Sequence, residues 1–299
     1  AKVSLPGGCA WGPRPIDFHI KALEKMGASV TLKEGNIICK GKLRGAHINF
    51  KRKSVGATGN VIMAAATANG KTTISNAACE PEIVDLCNFM NFIGVDILGI
   101  GTSKLIIEPN SSSISDIDYT VIPDRIEAGT FMISALMTKG NVKLNNIIPK
   151  HLDNIIVKLK DAGALVSIID ESSINVKYED MIRPVDIETL EYPGFPTDLQ
   201  AQWMALMTIA EGRSKITENI YKDRFSHVSE LSRFGAEISM DDNVAYIEGE
   251  SKLKSAPVMS TDIRASASLI LAALSAKGES SISRIYHIDR GYEKIEEKI

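Results

Sequence analysis

The sequence predicts an α/β protein assembled from repeats of about seventy residues, and three observations carry that prediction. A turn glycine behind an apolar helix recurs as Asn69-Gly70, Lys139-Gly140, Glu211-Gly212 and Lys277-Gly278, at spacings of 70, 72 and 66 residues. Each is followed by a short strand-like stretch alternating polar and apolar residues: Thr72-Thr73-Ile74, Val142-Lys143-Leu144, Ser214-Lys215-Ile216 and Ser281-Ile282-Ser283. A second glycine, at Gly27, Gly94, Gly163 and Gly235, recurs at spacings of 67, 69 and 72 residues.

Taken in order, each repeat reads helix, turn, strand, loop, helix, turn, then strand or hairpin. The helices follow from periodicity. Ile155, Leu159 and Ala162 fall on one face, as do Val228, Leu231 and Phe234. The second glycine closes such helices, because a residue without Cβ turns the chain left-handed at a helix end. Behind it come Gly27-Ala28-Ser29-Val30, Gly163-Ala164-Leu165-Val166 and Gly235-Ala236-Glu237-Ile238, where a strand is expected. Residues 265–274 are apolar nearly all round, which predicts a helix buried at the middle of a domain. The frame begins in the loop before a repeat's second helix and stops inside the same helix of another. That phase predicts half a repeat beyond each end, unless the ends are caps.

Composition sets the broad class. With 299 residues, 44% hydrophobic and 24% charged, the chain has globular composition and enough length for two sizeable cores. A net charge of -3 with both signs dispersed argues against a nucleic-acid or membrane-surface role. No apolar run approaches the roughly 20 residues that span a bilayer, and the first residues do not read as a secretory signal. Cys9, Cys39, Cys79 and Cys87 lack zinc-ligand spacing and read as free thiols of a reducing, cytoplasmic compartment.

Four segments do not read as packing sequence. Residues 5–20 place Cys9 among glycines and prolines, then Arg14 and a helix start. An exposed thiol beside a cation and a helix N-terminus suits catalysis; the alternative is a surface loop with an incidental cysteine. Residues 52–59, Arg-Lys-Ser-Val-Gly-Ala-Thr-Gly, precede an apolar helix at Val61 and read either as a phosphate cradle or as an ordinary Ser or Thr cap. In Tyr192-Pro193-Gly194-Phe195-Pro196-Thr197-Asp198, Asp198 is either a base on a rigid loop or, with Thr197, a helix cap. Arg224, Arg264 and Arg290 sit at matching repeat positions, as forks for carboxylate and phosphate groups or as surface ion pairs.

Together these segments resemble the enolpyruvyl transferases of peptidoglycan synthesis, the UDP-N-acetylglucosamine 1-carboxyvinyltransferases. The resemblance runs along essentially the whole chain in order. It is carried by residues 6–19 (PGGCAWGPRPIDFH), 54–58 (SVGAT), 195–202 (FPTDLQAQ), 224–236 (RFSHVSELSRFGA), 261–269 (TDIRASASL) and 286–293 (YHIDRGYE). The sister transferase of the shikimate pathway shares the repeat fold but not the cysteine loop.

The resemblance implies a two-domain inside-out α/β barrel, with helices inside and sheets outside, incomplete at both ends. Residues 1–123 would belong to the UDP-sugar-side domain and 124–299 to a second domain, with the crossing near Asp124-Arg125. Six repeats are implied, of which the chain holds three whole ones and two halves. An early Lys-Asn pair and a further arginine of the site would then lie upstream, and the chain as it stands would be inactive. The implied substrates are phosphoenolpyruvate and UDP-N-acetylglucosamine. No metal or organic cofactor is implied, since phosphoenolpyruvate brings its own activated group. Cys9 matches the family's proton donor and Asp198 its base. Arg14, Pro15, Ile16, Asp17, Phe18, His19, Arg52, Lys53, Ser54, Val55, Gly56, Asp198 and Ile220 match contacts to the sugar nucleotide. Arg224, Arg264 and Arg290 match contacts to phosphoenolpyruvate. Trp11 and Phe18 are bulky departures, and Lys53 stands where the pattern has an apolar residue, leaving the Arg52-Lys53 register open by one. The rival readings are the shikimate-pathway transferase and a non-catalytic repeat scaffold, whose aspartate and arginines would lie scattered.

Overall fold

The computed structural model describes residues 1–5, 15–109, 116–250 and 252–299. The chain divides into two compact units, one reaching Ile122 and the other running from Pro123 to Ile299.

In the first unit, β1 (Lys2–Ser4) precedes α1 (Asp17–Lys25) and the hairpin β2 (Ser29–Lys33) and β3 (Asn36–Lys40). There follow β4 (His47–Asn49), α2 (Val55–Ala66), β5 (Thr72–Ser75), α3 (Pro81–Phe92), β6 (Asp96–Leu98) and β7 (Lys104–Glu108). The sheets are ordered β1-β3-β2 and β4-β5-β7-β6. Val61, Ile62 and Ala65 of α2 pack with Ile74, Ile83, Cys87 and Ile107 in the core.

The second unit opens on α4 (Arg125–Met137), β8 (Asn141–Asn145), α5 (Asp153–Asp161), β9 (Leu165–Asp170) and β10 (Ser173–Lys177). Next come β11 (Ile187–Glu188), α6 (Gln200–Met207), β12 (Ser214–Thr217), α7 (His227–Arg233), β13 (Glu237–Asp241) and β14 (Val244–Glu248). It ends with β15 (Pro257–Met259), α8 (Ile263–Ser275), β16 (Ser281–Ser283) and α9 (Ile295–Lys298). Its sheets are β8-β10-β9, β11-β12-β14-β13 and β15-β16.

The unit is inside out. Helices α4, α6 and α8 pack on one another, and every residue of α6 is buried. The sheets lie outside them with one face inward. On β12, Ser214 and Ile216 are buried while Lys215 and Thr217 are partly exposed; on β14, Ala245 and Ile247 are buried. Each isoleucine so buried contributes about 1.5–3 kcal/mol, which makes the inward register hard to slip.

The repeat is visible in register. β4 pairs in parallel with β5 at Ile48 and Ile74, β11 with β12 at Ile187 and Ile216, and β15 with β16 at Val258 and Ile282. In each case a helix connects the two strands. The sequence does not announce β4, β11 and β15, which have only two or three residues each and lack the glycine turn that precedes β5, β12 and β16. The second glycines are left-handed as expected, with φ between 92° and 101° at Gly27, Gly94, Gly163 and Gly235. One turn departs from the pattern: in Lys139-Gly140 it is Lys139 that takes the left-handed conformation, at φ 53°.

Candidate active site

The loop before α6 is shaped by close packing. Leu190 donates its N–H to the Phe195 carbonyl at 3.0 Å, and Gly194 donates to the Glu191 carbonyl at 2.8 Å. A Cβ at Gly194 would fall 2.4 Å from Leu190 Cβ, so no larger residue fits. Phe195 is buried edge-on against Trp203 at 5.5 Å. This anchor fixes the start of the turn Thr197–Leu199. Asp198 emerges there with 40% of its side chain exposed, and its Oδ1 lies 2.7 Å from Arg224 Nη2 and 3.4 Å from Arg264 Nε.

The capping alternative for Thr197 and Asp198 is not what the structure shows: neither α6 nor the turn before it has a side-chain cap bond. Both side chains point to other partners. Burial alone would raise the Asp198 carboxyl, but the Arg224 and Arg264 guanidiniums outweigh it and hold the group below its usual range.

Each arginine is itself held. Arg224 is buried, and its Nη1 donates to Thr197 Oγ1 at 2.9 Å. Thr197 donates in turn to Glu218 Oε2 at 2.9 Å. Arg264 sits in the first turn of α8, where Asp262 caps the helix by accepting the N–H groups of Arg264 and Ala265 at 2.8 and 3.1 Å. The Arg264 guanidinium lies over the Tyr292 ring at 5.8 Å, and its Nη1 reaches the Tyr292 hydroxyl at 3.4 Å. That buried hydroxyl shares a hydrogen bond with Thr130 at 2.8 Å and accepts one from Gln202 at 3.2 Å. Burial lowers the Arg264 guanidinium, but Asp198, Tyr292 and Asp124 together more than reverse this and raise it. His227 is buried close to Arg224; burial first, and the guanidinium second, push its imidazole down to about 3.

The remaining candidates of this unit are placed differently. Ile220 is half-buried and gives its N–H to Glu218 Oε1 at 2.9 Å. Arg290 is exposed and makes no ion pair among the described residues. The cluster also contains groups that the sequence reading did not single out: Glu218, His227, Tyr292, Gln202 and Thr130. Gln202, His227 and Tyr292 stand inside the motifs already quoted. Glu218 lies in none, although the alternation of Ser214 and Ile216 points it inward.

In the first unit, α1 and the junction of β4 with α2 meet. The helix after Arg52 begins at Val55, six residues before Val61, so Gly56 to Gly59 are helical and the helix start lies at Ser54. Ser54 is the cap, its Oγ accepting the Ala57 N–H at 3.3 Å, as the plainer alternative expects. Gly56 faces α1: a Cβ there would stand 3.5 Å from the His19 imidazole, in ordinary contact. Phe18 packs against Phe50 at 5.9 Å, and the Arg52 guanidinium covers its ring at 5.6 Å. Burial lowers the His19 imidazole, against an opposing effect of Asp17. Lys53 and Ile16 are half-buried, while Pro15, Asp17, Val55 and Gly56 are exposed. Phe18, His19, Arg52 and Gly56 thus come together. Cys9 and Arg14 lie outside the described residues.

Among the described residues, no group of three or more His, Cys, Asp or Glu side chains is placed to hold a metal ion. No helix of the described residues is long and apolar enough to cross a membrane.

Known proteins resemble this chain along its length. The family described as EPSP synthase (3-phosphoshikimate 1-carboxyvinyltransferase) matches residues 1–299. A UDP-N-acetylglucosamine 1-carboxyvinyltransferase of Geotalea daltonii is 53% identical over 301 residues, covering 100% of this chain and 72% of the relative. The protein of the same name from Prosthecochloris aestuarii is 51% identical over 302 residues, covering 100% and 71%. Two solved structures share the fold. The enolpyruvyl transferase NikO from Streptomyces tendae aligns with TM-score 0.88 at 22% identity, over 99% of this chain and 71% of that one. EPSP synthase from Acinetobacter baumannii aligns with TM-score 0.74 at 19% identity, over 99% and 72%. The chain is therefore a transferase of the enolpyruvyl transferase family, and within it belongs with the UDP-N-acetylglucosamine 1-carboxyvinyltransferases.

Proposed function

We propose that the protein transfers the enolpyruvyl group of phosphoenolpyruvate to the 3-hydroxyl of UDP-N-acetylglucosamine and releases phosphate, the first committed step of peptidoglycan synthesis, in the cytoplasm. The observation that carries the residue-level reading is the meeting of Arg224 and Arg264 on the Asp198 carboxylate. A scattered arrangement was the expectation of a mere scaffold.

The enol ether is a poor electrophile until its methylene carbon gains a proton, and Cys9 is the donor in this reading. Protonation leaves oxocarbenium character at C2. The sugar 3-hydroxyl attacks C2 as Asp198 takes its proton. The tetrahedral product then loses phosphate, which carries off the proton held by Asp198, and the new methyl group returns a proton to the Cys9 thiolate, which restores the double bond. Arg224, Arg264 and Arg290 face the carboxylate and phosphate of phosphoenolpyruvate and neutralise charge as it develops.

The ion pairs add a consequence. Asp198 occupies both guanidiniums, which hold it a weak base. A substrate carboxylate or phosphate competes for the same donors. As the arginines exchange partners, Asp198 loses its stabilising charges and its proton affinity rises, so the base is armed when phosphoenolpyruvate arrives.

The test is turnover by the protein expressed from its complete reading frame, with phosphate release and the enolpyruvyl sugar nucleotide measured together. UDP-N-acetylglucosamine is expected to be the acceptor. Turnover with 3-phosphoshikimate instead would assign the protein to the sister activity, and binding of neither would leave only the fold.

A further inference from the structure

We infer that Glu218 is a positioning residue of this reaction, acting through the Thr197 hydroxyl to hold Arg224 against Asp198; the inference rests on the activity proposed above.

The repeat supplies the first reason. Three parallel strand pairs have equivalent ends, marked by the same backbone bond: Phe50 N–H to the Ser75 carbonyl, Thr189 to Thr217 and Ser260 to Ser283, at 3.2, 2.9 and 3.0 Å. One residue beyond the paired registers, the facing positions are Phe50 and Asn76, Thr189 and Glu218, Ser260 and Arg284. The scaffold is thus built in two repeats without an acid at this place. In the remaining repeat, the one that carries Asp198, the position holds a fully buried glutamate. Burying a carboxylate is costly, and the fold does not require it here.

The second reason is the direction of the bonds. Glu218 accepts four: from Thr189 Oγ1 at 2.7 Å and the Ile220 and Tyr221 N–H groups at 2.9 and 3.0 Å on Oε1, and from Thr197 Oγ1 at 2.9 Å on Oε2. A guanidinium only donates and a carboxylate only accepts. Thr197 must therefore give its single proton to Glu218 and its lone pair to Arg224. The buried charge polarises this hydroxyl towards the arginine. It also ties the segment after β12, which leads to Arg224, to the turn that presents Asp198. Both members of the ion pair hang on one acid.

A glutamine cannot keep this pattern. Its oxygen is needed by the two backbone N–H groups and Thr189, so its amide nitrogen faces Thr197 and donates. The threonine proton then has to turn away, towards the guanidinium.

The experiment compares Glu218→Gln, Thr197→Val and Thr197→Ser with wild type in the protein expressed from its complete reading frame, reading kcat, KM for each substrate and thermal unfolding. In Glu218→Gln and Thr197→Val, kcat/KM for phosphoenolpyruvate is expected to fall by about ten- to hundredfold, while KM for UDP-N-acetylglucosamine changes by less than about threefold. Thr197→Ser, which keeps the hydroxyl, restores most of the loss. If Glu218→Gln does not fold, the threonine pair decides alone. A folded Thr197→Val with wild-type kinetics overturns the inference, as does an equal loss in Thr197→Ser. Failure of the wild-type protein to transfer enolpyruvyl at all would count against the proposed activity, not against the positioning by Glu218.

Discussion

Asp198 and Arg224 meet at 2.7 Å, a carboxylate with 40% of its side chain exposed against a guanidinium with 8%. The buried partner cannot move far, so the exposed one is the member free to change partners when an anion enters.

Replacing Asp198 by Asn should lower kcat by about 10²–10⁴-fold, the usual worth of a positioned base. The same change removes the carboxylate charge that competes for two guanidiniums, so phosphoenolpyruvate and inorganic phosphate should bind more tightly, which calorimetry would detect. The sign of the pH effect follows from the depressed carboxyl. Protonation removes the base, so any acid limb in kcat/KM that belongs to Asp198 should lie below about pH 4, the ordinary aspartate value.

His227 should make the fold acid-sensitive. Its imidazole titrates near 3 in the folded protein because it is buried beside Arg224, and near 6.5 when unfolded. The unfolded chain binds the extra proton between those values. Stability is therefore full above about pH 6.5 and declines as pH falls towards 3, by about 1.4 kcal/mol per unit from this group. Urea titrations of a folded His227→Gln variant should show a slope shallower by one proton in that window.

Fosfomycin, an epoxide that mimics phosphoenolpyruvate, should alkylate Cys9 alone. Cys87 is buried, and burial pushes its thiol up to about 11, so it is a poor nucleophile. Intact-mass analysis should find one adduct in the wild type and none in Cys9→Ser, and that variant should also lose turnover.

Gly56→Leu should weaken UDP-N-acetylglucosamine binding by about tenfold or more, because its side chain grows from a point 3.5 Å from the His19 imidazole. Gly56→Ala makes only ordinary contact there, and in a helix alanine is favoured over glycine by about 0.5–1 kcal/mol. It should melt no lower than wild type and bind nearly as well. Titration calorimetry and thermal unfolding separate the two.

The repeat was legible in the sequence because it is written in local chemistry. A left-handed turn at Gly27, Gly94, Gly163 and Gly235 admits glycine at little cost, and strand alternation at Thr72, Val142, Ser214 and Ser281 needs no partner to be recognised. The short strands β4, β11 and β15 were not legible, since two or three residues carry little period and no repeating glycine turn precedes them, as one precedes the equally short β16. Likewise Ser54 and Asp198 both begin as candidate caps. Only the fold shows that Ser54 caps α2 while Asp198 turns to two arginines.

By itself, then, the sequence determined the repeat frame, the helical cores and the residue types at the site, because periodicity and turn chemistry act over a few neighbouring residues. Only the tertiary structure decided that Asp198, Arg224, Arg264 and Glu218 form one electrostatic unit. Those four span residues 198 to 264, and Coulomb and hydrogen-bond energies depend on separation in space, which the packing of α6, β12 and α8 sets.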